Sequence, residues 1–299
     1  MEYDVILQSV LDDIDRRITQ NITIEELACA SHYSIYHFCR LFMARTGTPV
    51  MTYVIRRKLE YALYDLSQGR KIIDVATNYG FETHAGFTKA FKKCFGYPPS
   101  LFHLHVSAHQ PQRMTVRSFQ IKKGENTMQV QIKEIPSFAV AGVVSRHALP
   151  NVSRAADIPA FWHTISMDYG KHLSRAYDAF TPAKHGEFGL CFDVDESTGE
   201  FTYMLGVTFD PNADEGHIEE DMRKLEIPGG LYAVFTTPKV PDEQYAQSIA
   251  DTWAKALTCW LSESPYKYDE ARLGFEAYDE RDHGDMVQMD ICIPIAKTQ

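Results

Sequence analysis

The 299-residue sequence lacks any apolar run near 18 residues, the length that a membrane-spanning helix requires. It also lacks a charged and then apolar leader at residues 1–20, so we expect no signal peptide. Its six cysteines are scattered without a C-x-x-C pair, which favours reduced cysteines over a disulfide framework. These absences predict a cytoplasmic protein with no membrane partner.

Signatures of common catalytic and metal sites are missing as well. The sequence contains neither a phosphate-binding loop nor a nucleophile elbow. His103, His105 and His109 lie close together, but no cysteine or carboxylate at ligand spacing supports a metal site there. We therefore expect no cofactor, no metal ion and no enzymatic activity.

The formal charge of −10 is distributed unevenly along the chain. Residues 1–127 contain 16 basic and 12 acidic side chains, whereas residues 128–299 contain 14 basic and 28 acidic ones. A mildly basic first half can approach phosphate groups, and an acidic second half favours cationic ligands through its summed field. The two halves are therefore expected to have different functions and to bind different ligands.

A pattern of apolar, glycine and proline positions occurs twice within the first hundred residues. The positions are Ala28, Phe38, Phe42, Gly47 and Pro49 in the first copy, and Ala76, Phe87, Phe91, Gly96 and Pro98 in the second. The last four recur at a constant offset of 49 residues. Each copy is typical of a helix-turn-helix, whose second helix enters the major groove of DNA. Two tandem copies predict a protein that binds double-stranded DNA.

Apolar periodicity predicts where the helices of this half begin and end. Residues 3–20 form an amphipathic pattern, and residues 50–67 predict a long helix that connects the two copies. Thr23, with Glu26 three residues later, predicts a capping box, and Ser34 predicts the N-cap of the next helix.

Two cations occupy equivalent outward positions in the duplicated pattern. A helical wheel places the phenylalanines of each longer helix inward, and places Arg40 and Lys89 outward. Arginine can bind guanine with two hydrogen bonds, whereas lysine is a point charge that serves phosphate or guanine less selectively. Taken singly, each cation could equally be a solvated charge on a surface helix, and their matching positions favour DNA contact.

After residue 128 the apolar period changes to two, which predicts strands. A strand–helix–hairpin unit occurs twice, with helices at residues 157–173 and 242–263. We thus predict two domains, an all-α domain of tandem helix-turn-helix units and an α+β domain of two pseudo-repeated units. Their expected bounds are residues 1–106 and 128–299, joined by a linker at residues 107–127.

The first half resembles the AraC/XylS family of transcription regulators. The resemblance covers nearly all of residues 5–105 and is most specific in the GF-x13-FGYPP motif at residues 80–99. It implies two DNA-reading helices, at about residues 34–46 and 83–94, and RNA polymerase as a partner. Cys39 and Ala85 stand where the family often has polar residues, which predicts mainly phosphate contacts for the second reading helix. The DNA-binding residues expected from motif position and from the wheel are Tyr36, Arg40, His84, Thr88, Lys89, Lys92 and Lys93.

The second half resembles the GyrI-like ligand-binding domain, mainly at residues 274–279 and in the Ile293-Pro294-Ile295 ending. The resemblance implies a cleft between the pseudo-repeats, lined by aromatic residues, with one acidic residue at its base. Glu276 matches that acid, although strand alternation alone would also allow it to face solvent. For most of the aromatic residues, Trp253 and Trp260 included, a position in an ordinary core is the better interpretation. The expected ligand-binding residues are Glu276, Phe161, Trp162, Tyr203, Tyr232, Phe235 and Tyr278.

Three functional hypotheses follow from these patterns. The leading one is a DNA-binding transcription regulator that responds to a small lipophilic cation or aromatic compound. The positive charge of such a cation would compensate the carboxylate charge of Glu276. The second is a hydrolase of small electrophilic compounds that uses Glu276 as general base with Tyr203 or Tyr278. The third is a protein-interaction module in which the acidic half binds no ligand.

Overall fold

The computed structural model describes most of the chain as two compact units. One unit consists of residues 1–94 and 108–126, and the other of residues 95–107 and 127–299. The segment 95–107, which the sequence assigns mainly to the DNA-binding domain, therefore lies with the second unit. The predicted domain bounds stay a prediction. The described residues are 2–106, 110–119, 130–148, 169–180, 182–195, 200–209 and 218–298.

The first unit is helical, as the periodicity predicts. Phenylalanines at the repeated positions form its centre, since Phe38, Phe42, Phe87 and Phe91 are all fully buried. Burial of four aromatic side chains at helical spacing holds the second helix of each repeated unit against its neighbours. The helices are α1 (Glu2–Arg16), α2 (Ile24–Ala30), α3 (Ile35–Thr46), α4 (Val50–Ser67), α5 (Ile72–Asn78) and α6 (His84–Phe95).

Local signals fix where these helices begin and end. Thr23 and Glu26 form the predicted capping box, and the Ser34 side chain accepts from the His37 backbone N–H. Gly47 ends α3 in the left-handed region at φ +70°, a conformation that favours glycine. Helix α1 ends before residue 20, because the chain turns there with the Gln20 N–H donating to the carbonyl of residue 17 at 2.8 Å.

One buried arginine ties α1, α4 and the segment 110–119 together. The Arg57 guanidinium donates to both carboxylate oxygens of Asp15, at 2.9 and 2.6 Å, and to Glu60 at 2.6 Å. It also donates to the carbonyl of Gln112 at 3.1 Å. Its side chain is only 3 % exposed, so these partners compensate for the desolvation of its charge.

The second unit combines α7 (Pro99–His105) with a large antiparallel sheet and two further helices. Helix α8 spans Tyr169–Ala179 and α9 spans Tyr245–Lys255. The strands are β1 (Val130–Ile135), β2 (Phe138–Ala148), β3 (Pro182–Phe192), β4 (Glu200–Phe209), β5 (Met222–Ile227), β6 (Gly230–Thr236), β7 (Val240–Pro241), β8 (Tyr266–Tyr268), β9 (Phe275–Tyr278), β10 (Met286–Val287) and β11 (Asp290–Lys297).

The two pseudo-repeats interlock within this sheet. Its order is β1-β6-β11-β9-β3-β4-β2-β5, with β8 also paired to β11. The first strand of each repeat pairs with the second strand of the other, β1 with β6 and β5 with β2. The repeats meet at β3 and β9, where Gly189 lies opposite Glu276. This seam places the predicted acid at the centre of the domain.

Some elements of the second unit differ from expectation. The predicted helix 242–263 is helical throughout, but its type changes from a 3-10 turn at Asp242–Gln244 to the α-helix α9 and then to a π-helical turn at Ala256–Leu261. Strand β5 was not predicted, because MRKLEI is largely polar and its backbone gains its partners only from β2. Residues 157–168 of the other predicted helix lie outside the described residues. No helix in the described ranges combines the length and apolar character that crossing a membrane requires.

Candidate functional site

The outer side of α3 carries an aromatic residue and a cation next to each other. Tyr36 is 72 % exposed, and the Arg40 guanidinium lies 5.7 Å from the centre of its ring. Phe38 and Phe42 point to the opposite side and are buried. The cation–π contact holds the guanidinium above the helix surface, where all its donors can meet an external acceptor.

The equivalent helix α6 presents mainly lysines. Lys89 and Lys93 are exposed, and His84 and Lys92 are partly exposed. Thr88 differs from expectation, because its Oγ1 is buried and has no hydrogen-bond partner. Its hydroxyl therefore does not point outward with the lysines, although the sequence assigns it to the DNA-facing set. The outer surface of α6 is positively charged, as phosphate contact requires.

Glu276, on β9, is the centre of the polar cluster in the second unit. Its Oε1 accepts from the Trp253 indole Nε1 at 2.9 Å, and its Oε2 accepts from the Tyr278 hydroxyl at 2.8 Å. A Cβ built on Gly189 would lie 2.7 Å from the Tyr203 hydroxyl oxygen and 3.0 Å from Glu276 Oε2. The missing side chain at Gly189 therefore creates the space in which the Tyr203 hydroxyl approaches the carboxylate.

Burial shifts the ionisation of this cluster. Desolvation raises the pKa of Glu276, and the hydrogen bonds from Trp253 and Tyr278 only partly oppose it. The pKa values of Tyr203 and Cys191 are raised well above their ordinary values by burial, with a smaller contribution from the charge of Glu276. Among the described side chains, no cationic group contributes to the pKa shift of Glu276, whose causes are burial and the hydrogen bonds from Trp253 and Tyr278. The site thus holds a desolvated carboxylate whose hydrogen-bond donors are neutral.

A small cavity borders Glu276. Its volume is about 30 Å³, and roughly 10–15 Å³ by this measure is enough for one water molecule. Helix α7 supplies one side of the wall with Leu101, Leu104 and His105, and the ring of His105 stacks on Trp253. The rest of the wall consists of Gly189, Cys191, Trp253, Tyr268, Gly274, Phe275 and Glu276.

The aromatic residues predicted for the cleft fall into different places. Tyr203 and Tyr278 lie on the Glu276 face, whereas Tyr232 is on the opposite face, fully buried against Phe275, and does not border the cavity. Strand pairing places Phe235 on the Glu276 face, but it contacts Trp260 at 5.2 Å and is not part of the wall. Phe161 and Trp162 lie outside the described residues.

Sequence reasoning did not assign His105, Trp253 or Gly189 to the site. Helical spacing is as expected for a core position of Trp253 and does not show that its indole N–H reaches a carboxylate on a strand. Gly189 carries no local signal either, because only the pairing of β3 with β9 places it opposite Glu276. No local signal distinguishes His105, since its role depends on where α7 lies. In the described part of the chain, no group of three or more potential ligands could hold a metal ion.

Comparison with known proteins identifies both halves. The family model described as an integron-associated effector binding protein matches residues 131–295, more than half of the chain. The chain belongs to this family. A helix-turn-helix domain model matches residues 27–103. The resemblance to AraC-type regulators and to GyrI-like domains is thereby confirmed, as is the predicted two-domain fold class.

Individual proteins are similar to parts of this chain. The HTH-type transcriptional activator AarP of Providencia stuartii is 31% identical over 100 residues, which cover 33% of this chain and 74% of AarP. The HTH-type transcriptional regulator YbfP of Bacillus subtilis is 30% identical over 134 residues, 44% of this chain but only 42% of YbfP. A structure of SAV2435 bound to tetraphenylphosphonium shares 18% identity and has a TM-score of 0.40, covering 56% of this chain and 94% of that one. The chain has the architecture of a DNA-binding transcription regulator with an effector-binding domain.

Proposed function

We propose that this protein regulates transcription by binding DNA through α3 and α6, and that a lipophilic cation bound beside Glu276 modulates its activity. The observation that carries the proposal is the environment of Glu276. Its carboxylate is desolvated, accepts two hydrogen bonds from neutral donors, and borders a cavity with an indole in its wall. A cation that carries apolar groups would satisfy both the charge and the aromatic surface.

The DNA-binding part of the proposal rests on the surfaces of the two reading helices. Arg40 and Lys89 lie at equivalent positions and are both exposed, and Lys93 adds a further exposed cation on α6. Arg40, held against Tyr36, is suited to base recognition, whereas the lysines are suited to phosphate. Contact with RNA polymerase stays a prediction that comes from the family resemblance.

The proposed ligand site is tested by titrating the full-length protein with tetraphenylphosphonium and measuring tryptophan fluorescence and heat. Glu276→Gln should weaken binding at least tenfold, because the cation loses its countercharge in a partly dry site. Glu226→Gln, which removes the same charge from an exposed position on β5, is the matched control and should bind like the parent. DNA affinity without ligand should be unchanged in both variants.

The result also separates the proposal from its rivals. Equal affinity of the Glu276→Gln and Glu226→Gln variants would contradict the assignment of Glu276. No binding of any lipophilic cation across a broad panel would favour a protein-interaction module instead. In both cases the DNA-binding part of the proposal is tested separately, by measurements of DNA affinity.

A second candidate function is supported by one contact, the 2.8 Å hydrogen bond between the Tyr278 hydroxyl and Glu276 Oε2. A carboxylate of raised pKa paired with a tyrosine could act as general base and proton donor in hydrolysis. Incubation with small electrophilic esters and epoxides, followed by mass spectrometry, tests this. Turnover that is lost in both Glu276→Gln and Tyr278→Phe would establish the enzyme.

A further inference from the structure

Most described side chains of helix α7 and of the residue after it are buried. Phe102 is fully buried, and Leu101, Leu104, His105 and Val106 are each at most 8 % exposed. Leu104 packs in one cluster with Phe201, Tyr203 and Leu205 of β4. Leu101, Leu104 and His105 of this helix thus lie against the buried side of the effector-binding unit that carries Trp253 and Glu276.

His105 forms a stacked pair with the tryptophan that binds Glu276. The imidazole and indole rings are 3.9 Å apart with an angle of 9° between their planes. The same indole donates to Glu276 Oε1 at 2.9 Å. A planar ring lying face to face on Trp253, beside a buried carboxylate, is the arrangement expected for an aromatic group of a bound cation.

The imidazole differs from such a ligand in charge. Burial lowers the pKa of His105 to about 3, so the ring is neutral near pH 7. Glu276 is therefore not compensated by His105, although the ring covers its tryptophan partner. The His105 ring occupies the face of Trp253 on which an aromatic group of the ligand would stack, but it does not neutralise the negative charge of Glu276.

The cavity that remains is too small for a lipophilic cation. Its volume of about 30 Å³ compares with roughly 300–1,000 Å³ for pockets that bind drug-sized ligands. Three of its wall residues, Leu101, Leu104 and His105, belong to α7. Departure of α7 would open the side of the cavity that these residues close, and would uncover the face of Trp253.

We propose that α7 is a built-in occupant of the effector site, with the His105 ring in the subsite that an aromatic ring of the ligand takes on Trp253. Ligand and α7 then exclude each other. This inference rests on the proposed function, since it assumes a cation bound beside Glu276. The apparent affinity for ligand is the intrinsic affinity multiplied by the fraction of molecules in which α7 is released.

The position of α7 in the chain gives this competition a regulatory consequence. The segment 95–107 is joined covalently to the first unit at both ends, through residues 94 and 108. The helix-turn-helix family match also extends to residue 103, within α7. A ligand that expels α7 would convert this segment from a docked element into a free connection that follows directly on α6. Ligand binding is thereby linked to the reading helix through one short stretch of chain.

Hydrogen exchange on the full-length protein, with and without saturating tetraphenylphosphonium, tests the exclusion directly. Backbone amides of residues 101–106 should exchange faster in the presence of the cation, because α7 leaves its buried position. A ligand that binds beside a docked α7 would instead slow their exchange or leave it unchanged. Either of those two results would overturn the inference.

Two substitutions of His105 give effects of opposite sign. His105→Ala removes the stack on Trp253 and should raise the affinity for tetraphenylphosphonium roughly 2- to 10-fold, the range that one aromatic stack contributes. His105→Phe keeps a planar ring in place and should bind the cation as weakly as the parent or more weakly. Thermal melts of both variants confirm that the chain is folded.

The outcomes distinguish this inference from the function on which it rests. If the parent binds the cation in a Glu276-dependent way but both His105 variants bind equally and α7 stays protected, the proposed function stands and the exclusion is wrong. If neither the parent nor His105→Ala binds any cation, the proposed function fails and the exclusion fails with it.

Discussion

Gly189→Ala adds a single methyl group that should disturb the proposed effector site. The new Cβ would lie 2.7 Å from the Tyr203 hydroxyl oxygen and 3.0 Å from Glu276 Oε2, well inside ordinary carbon–oxygen contact. Tyr203 is buried, with its neighbours Phe201 and Leu205 in one cluster, so its ring has little room to withdraw. Overpacking of this kind costs about 1–3 kcal/mol.

The expected effects can be measured separately. For a unit of this size, 1 kcal/mol shifts Tm by roughly 2–4 °C, so Gly189→Ala should lower Tm by roughly 2–12 °C. Displacement of the Glu276 carboxylate should also weaken tetraphenylphosphonium binding by roughly tenfold, the effect of disturbing one charge-assisted contact. Differential scanning calorimetry and fluorescence titration provide the two readouts.

Gly170→Ala is the matched control. Gly170 lies on α8, is exposed, and a Cβ there would meet no atom within 4 Å. Replacing a helical glycine by alanine should leave Tm unchanged or raise it, by about 1 kcal/mol of stability at most, and should not affect ligand binding. If Gly189→Ala behaves like Gly170→Ala in both assays, the close approach of Tyr203 and Glu276 across the seam is wrong.

Three further predictions concern DNA binding, pH and stability. Arg40→Ala should cost about 1–3 kcal/mol of specific DNA binding and relax selectivity at one base pair. Lys89→Ala should instead weaken binding to all DNA sequences and flatten its salt dependence. Gel-shift titrations at several salt concentrations measure both effects. Burial lowers the pKa of His105 to about 3, so the unfolded chain binds more protons than the folded chain between about pH 3 and 6.5. The free energy of unfolding should therefore fall as the pH drops below about 6.5, by at most about 1.4 kcal/mol per pH unit. His105→Phe should remove this contribution to the pH dependence of Tm. Arg57→Leu should lower the free energy of unfolding in urea by about 3 kcal/mol, since it leaves Asp15 without its partner, whereas Arg56→Leu, at a position 46 % exposed, should cost under about 1 kcal/mol.

Each of these predictions has a contrary outcome. Equal loss of selectivity in the Arg40 and Lys89 variants would contradict their separate roles. Burial raises the pKa of Glu276, so acidification stabilises the fold through this group, with the opposite sign to His105. The pH test is therefore the difference between the parent and His105→Phe, and identical profiles would contradict it. Equal losses in the Arg57 and Arg56 variants would show that burial of the guanidinium is unimportant.

Most of the helical unit could be predicted from neighbouring residues. Helix α4 has the predicted bounds, the capping box at Thr23 forms, and the repeated phenylalanines are buried. Caps and apolar periods act over three to seven residues, so the pattern that specifies them is visible in a single stretch of sequence. The outward positions of Arg40 and Lys89 follow from the same period.

The strands of the second unit were predicted less completely, for a physical reason. Strands β3, β4 and β6 are apolar enough to be recognised, but β5 is largely polar and depends on β2 for its backbone partners. Strand pairing joins residues about 90 positions apart, as Phe138 opposite Ile227 shows. Such partners leave no mark on the local pattern of either strand.

Sequence pattern and family resemblance sufficed to predict a helix-turn-helix domain and a following α+β domain, and they named Glu276 as the candidate acid. Only the folded chain brings Trp253, Gly189 and His105 to that acid, because they come from a helix, a strand of the other repeat and a segment that precedes the domain. The hydrogen bonds, the ring stacking and the cavity shape depend on distances between side chains of separate elements, and these side chains approach one another only when the interlocked sheet forms. Those distances, and no property of the residues taken singly, place the His105 ring on the indole beside Glu276.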